Sequence, residues 1–321
     1  STPIKSSAAS DVYKRQIERL TADKKRPAVH TYNATLNSFT KFSGGQGTEE
    51  MLVTDVFTAG KLKEYEAWLR SRNASWNTVS TYMRVLKAVY NRLVEAKRLT
   101  YDARLFDSVY TKVEAQSKRS LTEEQMNTLL RTDFEKLPED VQNVLAYFLL
   151  MFLFRGMPFI DMAYLRKQDL KEHCITYCRH KTGKKMVVRI PHEATALFEK
   201  CRNKKTDSGY LFPILDETTE NEKKLYENYR QALRTFNRKL AKMAALLLPG
   251  TNISSYTARH TWATLAFYSG IPIGIISKAL GHSSIKVTET YLKPFENEKV
   301  DAANDELIMS VVKRSKEKIV A

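Results

Sequence analysis

The stretch VEAQSKRS, residues 113–120, is charged and short of apolar side chains, and it parts two regions whose hydrophobic patterns differ. Such a segment cannot contribute to a packed core, so it reads as a linker between two domains. In front of it the pattern is helical. In SWNTVSTYMRVLKAVYNRLVEAKR, Val79, Met83, Leu86, Tyr90 and Leu93 recur at three- and four-residue steps, which gives one buried stripe, and Asn77 or Ser75 supplies an N-cap. Behind it, Thr122 with Gln125 makes a capping box that opens a new helix. Residues 141–154 then read as a buried helix. CITYCRH and MVVRIP alternate on either side of KTGKK, a β-hairpin with Gly183 in its turn. Helices are expected over 222–247, 256–268, 273–280 and 284–292, with a helical tail over about 305–318. The class is mainly α with a small β-sheet, and 321 residues suffice for two domains. The expected boundaries are a flexible basic arm over 1–27, a helical domain over 28–112, the linker 113–120, and a second domain over 121–321 with a tail from about 303.

Lysine and arginine total 52 against 36 acidic residues, a formal net charge of +16. A chain this basic is expected to sit on a polyanion, usually nucleic acid, although a ribosome-associated or merely basic enzyme would share the excess. On the helix of residues 75–95, Thr81, Arg84, Lys87 and Asn91 lie opposite the apolar stripe; they suit phosphate contact, and a solvated face would carry the same residues. Ser1 to Asp11 lack an apolar signal core, and the apolar run 144–154 is too short for a membrane span of roughly 20 residues. No membrane partner is expected. Three cysteines, Cys174, Cys178 and Cys201, suit a reducing cytoplasm. His173, Cys174, Cys178 and His180 lack a second pair at zinc spacing and read as ordinary strand side chains, so no metal is expected. Neither a Walker loop nor a dinucleotide fingerprint occurs, and no cofactor is implied.

Four residues in the C-terminal half are candidates to carry chemistry. ARHTWAT places Arg259 and His260 near a helix start, LGHSS places His282 at a helix end with Gly281 as the stop, and Tyr291 follows nine residues later. Together an Arg, a His and a Tyr can hold a phosphodiester, orient or protonate it, and attack it. Singly, each has an ordinary structural reading as a core tyrosine or a helix-capping histidine. IPIGIISKALGHSSIKVTETYL also looks like a helix-turn-helix, so a non-catalytic DNA-binding regulator is the competing class.

The joint spacing R-H-T-x-A-T, L-G-H-S-S and T-x-x-Y-L closely resembles the signature of the tyrosine recombinase (phage integrase) family. YLRKQDL resembles the segment after that family's first arginine, and the KTG of the hairpin resembles its lysine hairpin, so the resemblance covers about residues 120–300. It implies an α/β tyrosine-recombinase catalytic domain and a helical core-binding (SAM-like) domain that together clamp double-stranded DNA at inverted-repeat sites. By the same resemblance Tyr291 is the nucleophile, forming a 3′-phosphotyrosine without metal or ATP. Arg259 and Arg155 hold the nonbridging oxygens, Lys181 (or Lys184, a DNA contact in either case) protonates the 5′-oxygen, and His282 bonds an oxygen or shuttles protons. Four protomers would assemble on two DNA sites, from a monomer or weak dimer without DNA, in a bacterial cytoplasm at the nucleoid. The tail, with Leu307, Ile308, Val311 and Val312 beside Lys313, Arg314 and Lys316, would dock into a neighbouring protomer or fold onto its own domain.

Two positions depart from the family pattern. RGMPFID puts Asp161 at the acidic position and Pro158 where the first arginine belongs. Arg155, one helical turn upstream, is the expected substitute; pairing with Asp161 is its structural alternative. This resembles the R-G-M variant of recombinases from Bacteroides-type mobile elements and invertible promoters. Tyr256 stands where the family has a histidine. A phenol donates a hydrogen bond but is a poor base near neutrality, with a reference pKa of about 10. Tyr256 is therefore a binding contact, and His260 is expected to pack behind Arg259. DNA inversion, integration or excision all fit. The 27 residues ahead of the helical domain leave little room for an arm-binding domain, which favours a simple inversion or resolution enzyme. A type IB topoisomerase shares the chemistry, but LGHSS favours a recombinase.

Overall fold

The computed structural model describes residues 9–23, 26–44, 53–112, 120–215, 221–292 and 297–319. The chain divides into two compact units, residues 1–116 and 117–321. The expected linker lies almost wholly outside the described residues.

The first unit holds α1 (Ala9–Ala22), α2 (Arg26–Phe42), α3 (Val53–Val56), α4 (Ala59–Ser71) and α5 (Trp76–Glu95). Ser75, not Asn77, caps α5, its hydroxyl accepting from the Thr78 amide at 3.1 Å. Val79, Met83, Leu86, Tyr90 and Leu93 are all buried as the stripe predicts, around a core completed by Leu62, Tyr65 and Phe106. The flexible arm expected over residues 1–27 is corrected from residue 9 onward. There α1 forms and packs against α2 and α5, burying Leu20 and Gln16.

The second unit holds α6 (Glu123–Leu130), α7 (Glu139–Leu153), α8 (Phe159–Tyr164), β1 (Leu170–Lys171), β2 (Cys174–Cys178), β3 (Lys185–Arg189), α9 (Thr195–Cys201), α10 (Glu222–Leu247), α11 (Thr257–Tyr268), α12 (Ile273–Leu280), α13 (Ile285–Glu289) and α14 (Asn297–Ile319). Both capping-box bonds of Thr122 and Gln125 are made, at 2.9 and 3.2 Å. The apolar α7 is the spine: α9, α10 and α11 pack on it. The antiparallel sheet runs β1-β2-β3, with Cys178 opposite Lys185 at the hairpin mouth and Gly183 in the turn at φ +66°.

α13 stops at Glu289, short of the expected 292. The amides of Tyr291 and Leu292 bond to the carbonyls of Thr288 and Glu289, at 2.9 and 3.0 Å, a tighter three-residue step. Tyr291 thus sits in a turn off the helix end. On α14, Leu307, Ile308, Met309, Val311 and Val312 are exposed, so the tail does not fold these side chains onto its own domain. No described helix is long and apolar enough to cross a membrane.

Candidate active site

Arg259 leaves the first turn of α11 and is only 2% exposed. Its Nη1 donates to the Gly156 carbonyl at 2.9 Å, and Nη2 donates to the Leu280 carbonyl at the end of α12. Nη2 also lies 3.1 Å from His282 Nε2. A guanidinium has no lone pair to offer, so that imidazole nitrogen accepts. The proton then sits on Nδ1, which donates to Thr288 Oγ1 at 2.8 Å. Burial, reinforced by the charges of Arg259, Arg179, Lys181 and Lys184, pushes His282 down to about 3. The imidazole is therefore neutral near pH 7, with its proton on Nδ1.

Tyr291 is buried against Ala263, Ala266, Ile276 and Leu280 of α11 and α12. Its hydroxyl bonds that of Tyr256, just ahead of α11. Burial and the neighbouring Tyr291 push the Tyr256 phenol up to about 12, so it stays protonated near neutrality. His260, expected to pack behind Arg259, lies beside both phenols. Its ring centre lies 4.5 Å from that of Tyr291 and 4.9 Å from that of Tyr256, and His282 flanks Tyr291 at 5.2 Å.

The hairpin places its two candidate lysines differently. Lys184 Nζ donates to the His282 carbonyl at 3.3 Å, while Lys181 is exposed in the turn, its charge reaching His282. Arg155 is turned toward the sheet, although its charge reaches Tyr177 alongside those of Arg259 and Arg179. It takes a left-handed φ of +60°, and its Nη1 donates to the Val187 carbonyl of edge strand β3 at 3.3 Å. Nor is it the partner of Asp161. That place belongs to Arg179, whose Nε lies 3.9 Å from Asp161 Oδ2. In the first unit, Arg84, Lys87 and Asn91 are exposed and Thr81 half-buried on one face of α5; the Thr81 hydroxyl is spent on the Asn77 carbonyl at 2.7 Å. Among the described residues no group of three or more His, Cys, Asp or Glu side chains could hold a metal ion.

Residues 119–298, more than half of the chain, match the profile of the phage integrase family, and residues 10–104 match the phage integrase SAM-like domain. The chain belongs to the phage integrase family of tyrosine recombinases. Tyrosine recombinase XerA of Pyrococcus furiosus is 26% identical over 243 residues, covering 74% of this chain and 76% of XerA. Transposase B from transposon Tn554 of Staphylococcus aureus is 28% identical over 257 residues, covering 73% of this chain and 38% of the transposase. Two solved structures share the fold. The Tn1549 transposon integrase in complex with a circular intermediate DNA has a TM-score of 0.64 at 16% identity, covering 94% of this chain and 100% of that one. A lambda integrase tetramer bound to a Holliday junction has a TM-score of 0.62 at 13% identity, covering 90% and 78%.

Three residues at this site had no role assigned from the sequence, although Thr288 opens T-x-x-Y-L and Gly156 lies within R-G-M. Thr288, fully buried, fixes the His282 tautomer. Gly156 holds φ +66°, and a Cβ there would lie 2.9 Å from the Arg259 Cα, so the α7–α8 turn requires glycine on both counts. Arg179 is 5% exposed and donates from Nη1 to the Gly281 carbonyl at 2.9 Å. Its signal was in the strand. Ile175, Tyr177 and Arg179 share the inward side of an alternating segment, and a cation at an inward position asks for a reason.

Proposed function

We propose that this chain is a site-specific DNA recombinase that cleaves and rejoins double-stranded DNA through Tyr291. The carrying observation is the closed contact set of Tyr291, Tyr256, His260, His282 and Arg259, which puts a phenol beside a buried guanidinium and a neutral imidazole. Tyr291 Oη attacks the scissile phosphorus. The new Oη–P bond forms as the bond to the 5′-oxygen breaks, leaving a 3′-phosphotyrosine and a free 5′-hydroxyl. The phenolic proton passes to water, because Tyr256 stays protonated and cannot accept it near neutrality. Lys181 protonates the departing oxygen, and Lys184 holds the hairpin to the His282 carbonyl. Arg259 stabilises the charge that develops on the nonbridging oxygens. The phosphotyrosine conserves the energy of the broken linkage, so attack by a 5′-hydroxyl reseals the strand.

The R-G-M sequence favours the branch known from Bacteroides-type elements and invertible promoters, with inverted-repeat sites as the DNA. The exposed apolar face of α14 favours docking into a second copy, within a tetramer on two sites. The exposed Arg84, Lys87 and Asn91 of α5 favour phosphate contact by the first unit.

The test is adduct capture. The protein is incubated with nicked duplexes carrying repeats from beside its own gene, and with fragmented genomic DNA, and covalent complexes are sequenced. A wild-type adduct that disappears with Tyr291→Phe, while DNA binding persists, is the expected result. Salt-sensitive binding with no adduct on any DNA would instead favour a regulator.

A further inference from the structure

The recombinase reading needs two guanidinium groups on the scissile phosphate, and Pro158 removes one of them. Arg155 was the natural substitute by proximity in sequence, but its fork is turned to a main-chain carbonyl on the open edge of β3. A different arginine lies where the missing one is needed.

Arg179 follows β2 directly. Its amide donates to the Lys184 carbonyl at 2.8 Å and its carbonyl accepts from the Gly183 amide at 2.7 Å, so the base of the hairpin turn fixes its backbone. The side chain runs beneath Gly281, where a Cβ would meet Arg179 Cδ at 3.3 Å. There Nη1 takes the Gly281 carbonyl, while Arg259 Nη2 takes the carbonyl of Leu280. These are successive peptide units at the C-terminal end of α12, whose partial negative charge suits cations. The two guanidinium groups are therefore neighbours, and Arg179 is held below the usual guanidinium range, by burial first and by the charge of Arg259 next.

The charges inside this cluster do not balance. Among the described residues of the second unit, the buried charged side chains are Arg179, Arg259 and Asp161, two cations to one carboxylate. Asp161 Oδ1 is taken by the His180 amide at 2.8 Å, whereas Asp161 Oδ2 and the Nε atoms of both arginines are buried without a hydrogen-bond partner. Buried donors and an uncompensated positive charge are expensive unless an anion joins them. A phosphodiester presented to Tyr291 brings the one negative charge that is missing.

We infer that Arg179, reaching in from the hairpin, supplies the second guanidinium that binds the scissile phosphate in place of the arginine lost at Pro158, and that Arg155 does not. The inference rests on the recombinase reading. With it, Asp161 becomes the group that positions Arg179, and Gly281 the residue that leaves room for it.

The experiment uses full-length protein and nicked duplexes recovered by adduct capture, made with either a phosphodiester or a neutral methylphosphonate at the scissile position. Arg179→Ala should form adduct about a hundredfold more slowly than wild type on phosphodiester, the usual cost of losing an anion-stabilising donor. On methylphosphonate, which has no charge to neutralise, that deficit should shrink by about tenfold or more. Arg179→Lys keeps the charge without the fork and should fall between. Arg155→Ala should show the same deficit, large or small, on both linkages. Recovery on methylphosphonate also demonstrates that the variant is folded, which a purely structural arginine would not give. Wild-type rates for Arg179→Ala, an equal deficit on both linkages, or selective recovery of Arg155→Ala would each overturn the assignment. Failure of wild type to form any adduct would sink the recombinase reading itself, and the assignment with it.

Discussion

Each unit buries a carboxylate, Glu66 in the first and Asp161 in the second, and the two are settled in opposite ways. In the first, Glu66 is 5% exposed, and its carboxylate takes Lys63 Nζ and the Tyr110 amide, each at 2.6 Å. The account is closed within the chain. In the second, Arg179 and Arg259 share Asp161 and leave donors unsatisfied. A buried charge with all its partners is architecture, tying α4 to the segment that follows α5. A buried charge in excess of its partners costs stability unless an opposite charge joins it.

The comparison can be attacked from several sides. The largest effect is expected from Gly156→Ala, which forces a Cβ to within 2.9 Å of the Arg259 Cα at a positive φ. Adduct formation should fall about a hundredfold, as for loss of a transition-state donor, and chemical denaturation should show a loss of about 1–3 kcal/mol. If cleavage survives, Arg259 does not depend on its main-chain cradle. A smaller and more discriminating pair comes next. Glu66→Gln weakens a fully partnered charge and should cost about 1–3 kcal/mol of unfolding free energy. Arg179→Met, measured without DNA, leaves one cation facing one carboxylate and should change stability by less than about 1 kcal/mol. Equal losses for the two would erase the distinction. The mildest effect belongs to the α5 face. Replacing both Arg84 and Lys87 with Ala should lower the slope of log affinity against log salt by about two, one per phosphate contact. An unchanged slope would assign those residues to solvent.

The sequence made the regular parts legible. The stripe on α5, the capping box at Thr122, the hairpin about Gly183 and the span of α10 all follow from periodicity and turn chemistry. Arg259, His282 and Tyr291 were legible only through the resemblance of their spaced motifs to a family signature, and the fold brings the three together. Helix α1 was missed because its composition is polar and its apolar spacing weak. Among its described side chains only Leu20 and Gln16 are buried, and such helices are held by tertiary contact, not by pattern. β1 has two residues, below what alternation can register. Arg155 was favoured because proximity along a helix is visible in sequence. The left-handed turn at Arg155 and Gly156, which redirects that side chain to the sheet edge, is not. Arg179 was passed over because the hairpin was searched for a lysine. Its partners, Asp161 and Gly281, stand 18 and 102 positions away, a closeness that only the folded chain creates.

The hold on Arg259 has a bearing on how this enzyme tolerates sequence drift. Two of its grips, at Gly156 and Leu280, are main-chain oxygens, which every residue type carries. Side-chain replacement at such positions leaves the acceptor itself in place, so the neighbourhood can vary widely without unseating the arginine. The vulnerability is concentrated instead in the backbone at Gly156 and Gly281, both left-handed: a Cβ at the first would lie 2.9 Å from the Arg259 Cα, and one at the second 2.7 Å from Met186 Sδ and 3.3 Å from Arg179 Cδ. Lineages of this protein should therefore diverge freely around the site while carrying glycine at two points, and directed evolution toward new DNA targets can leave those two codons alone.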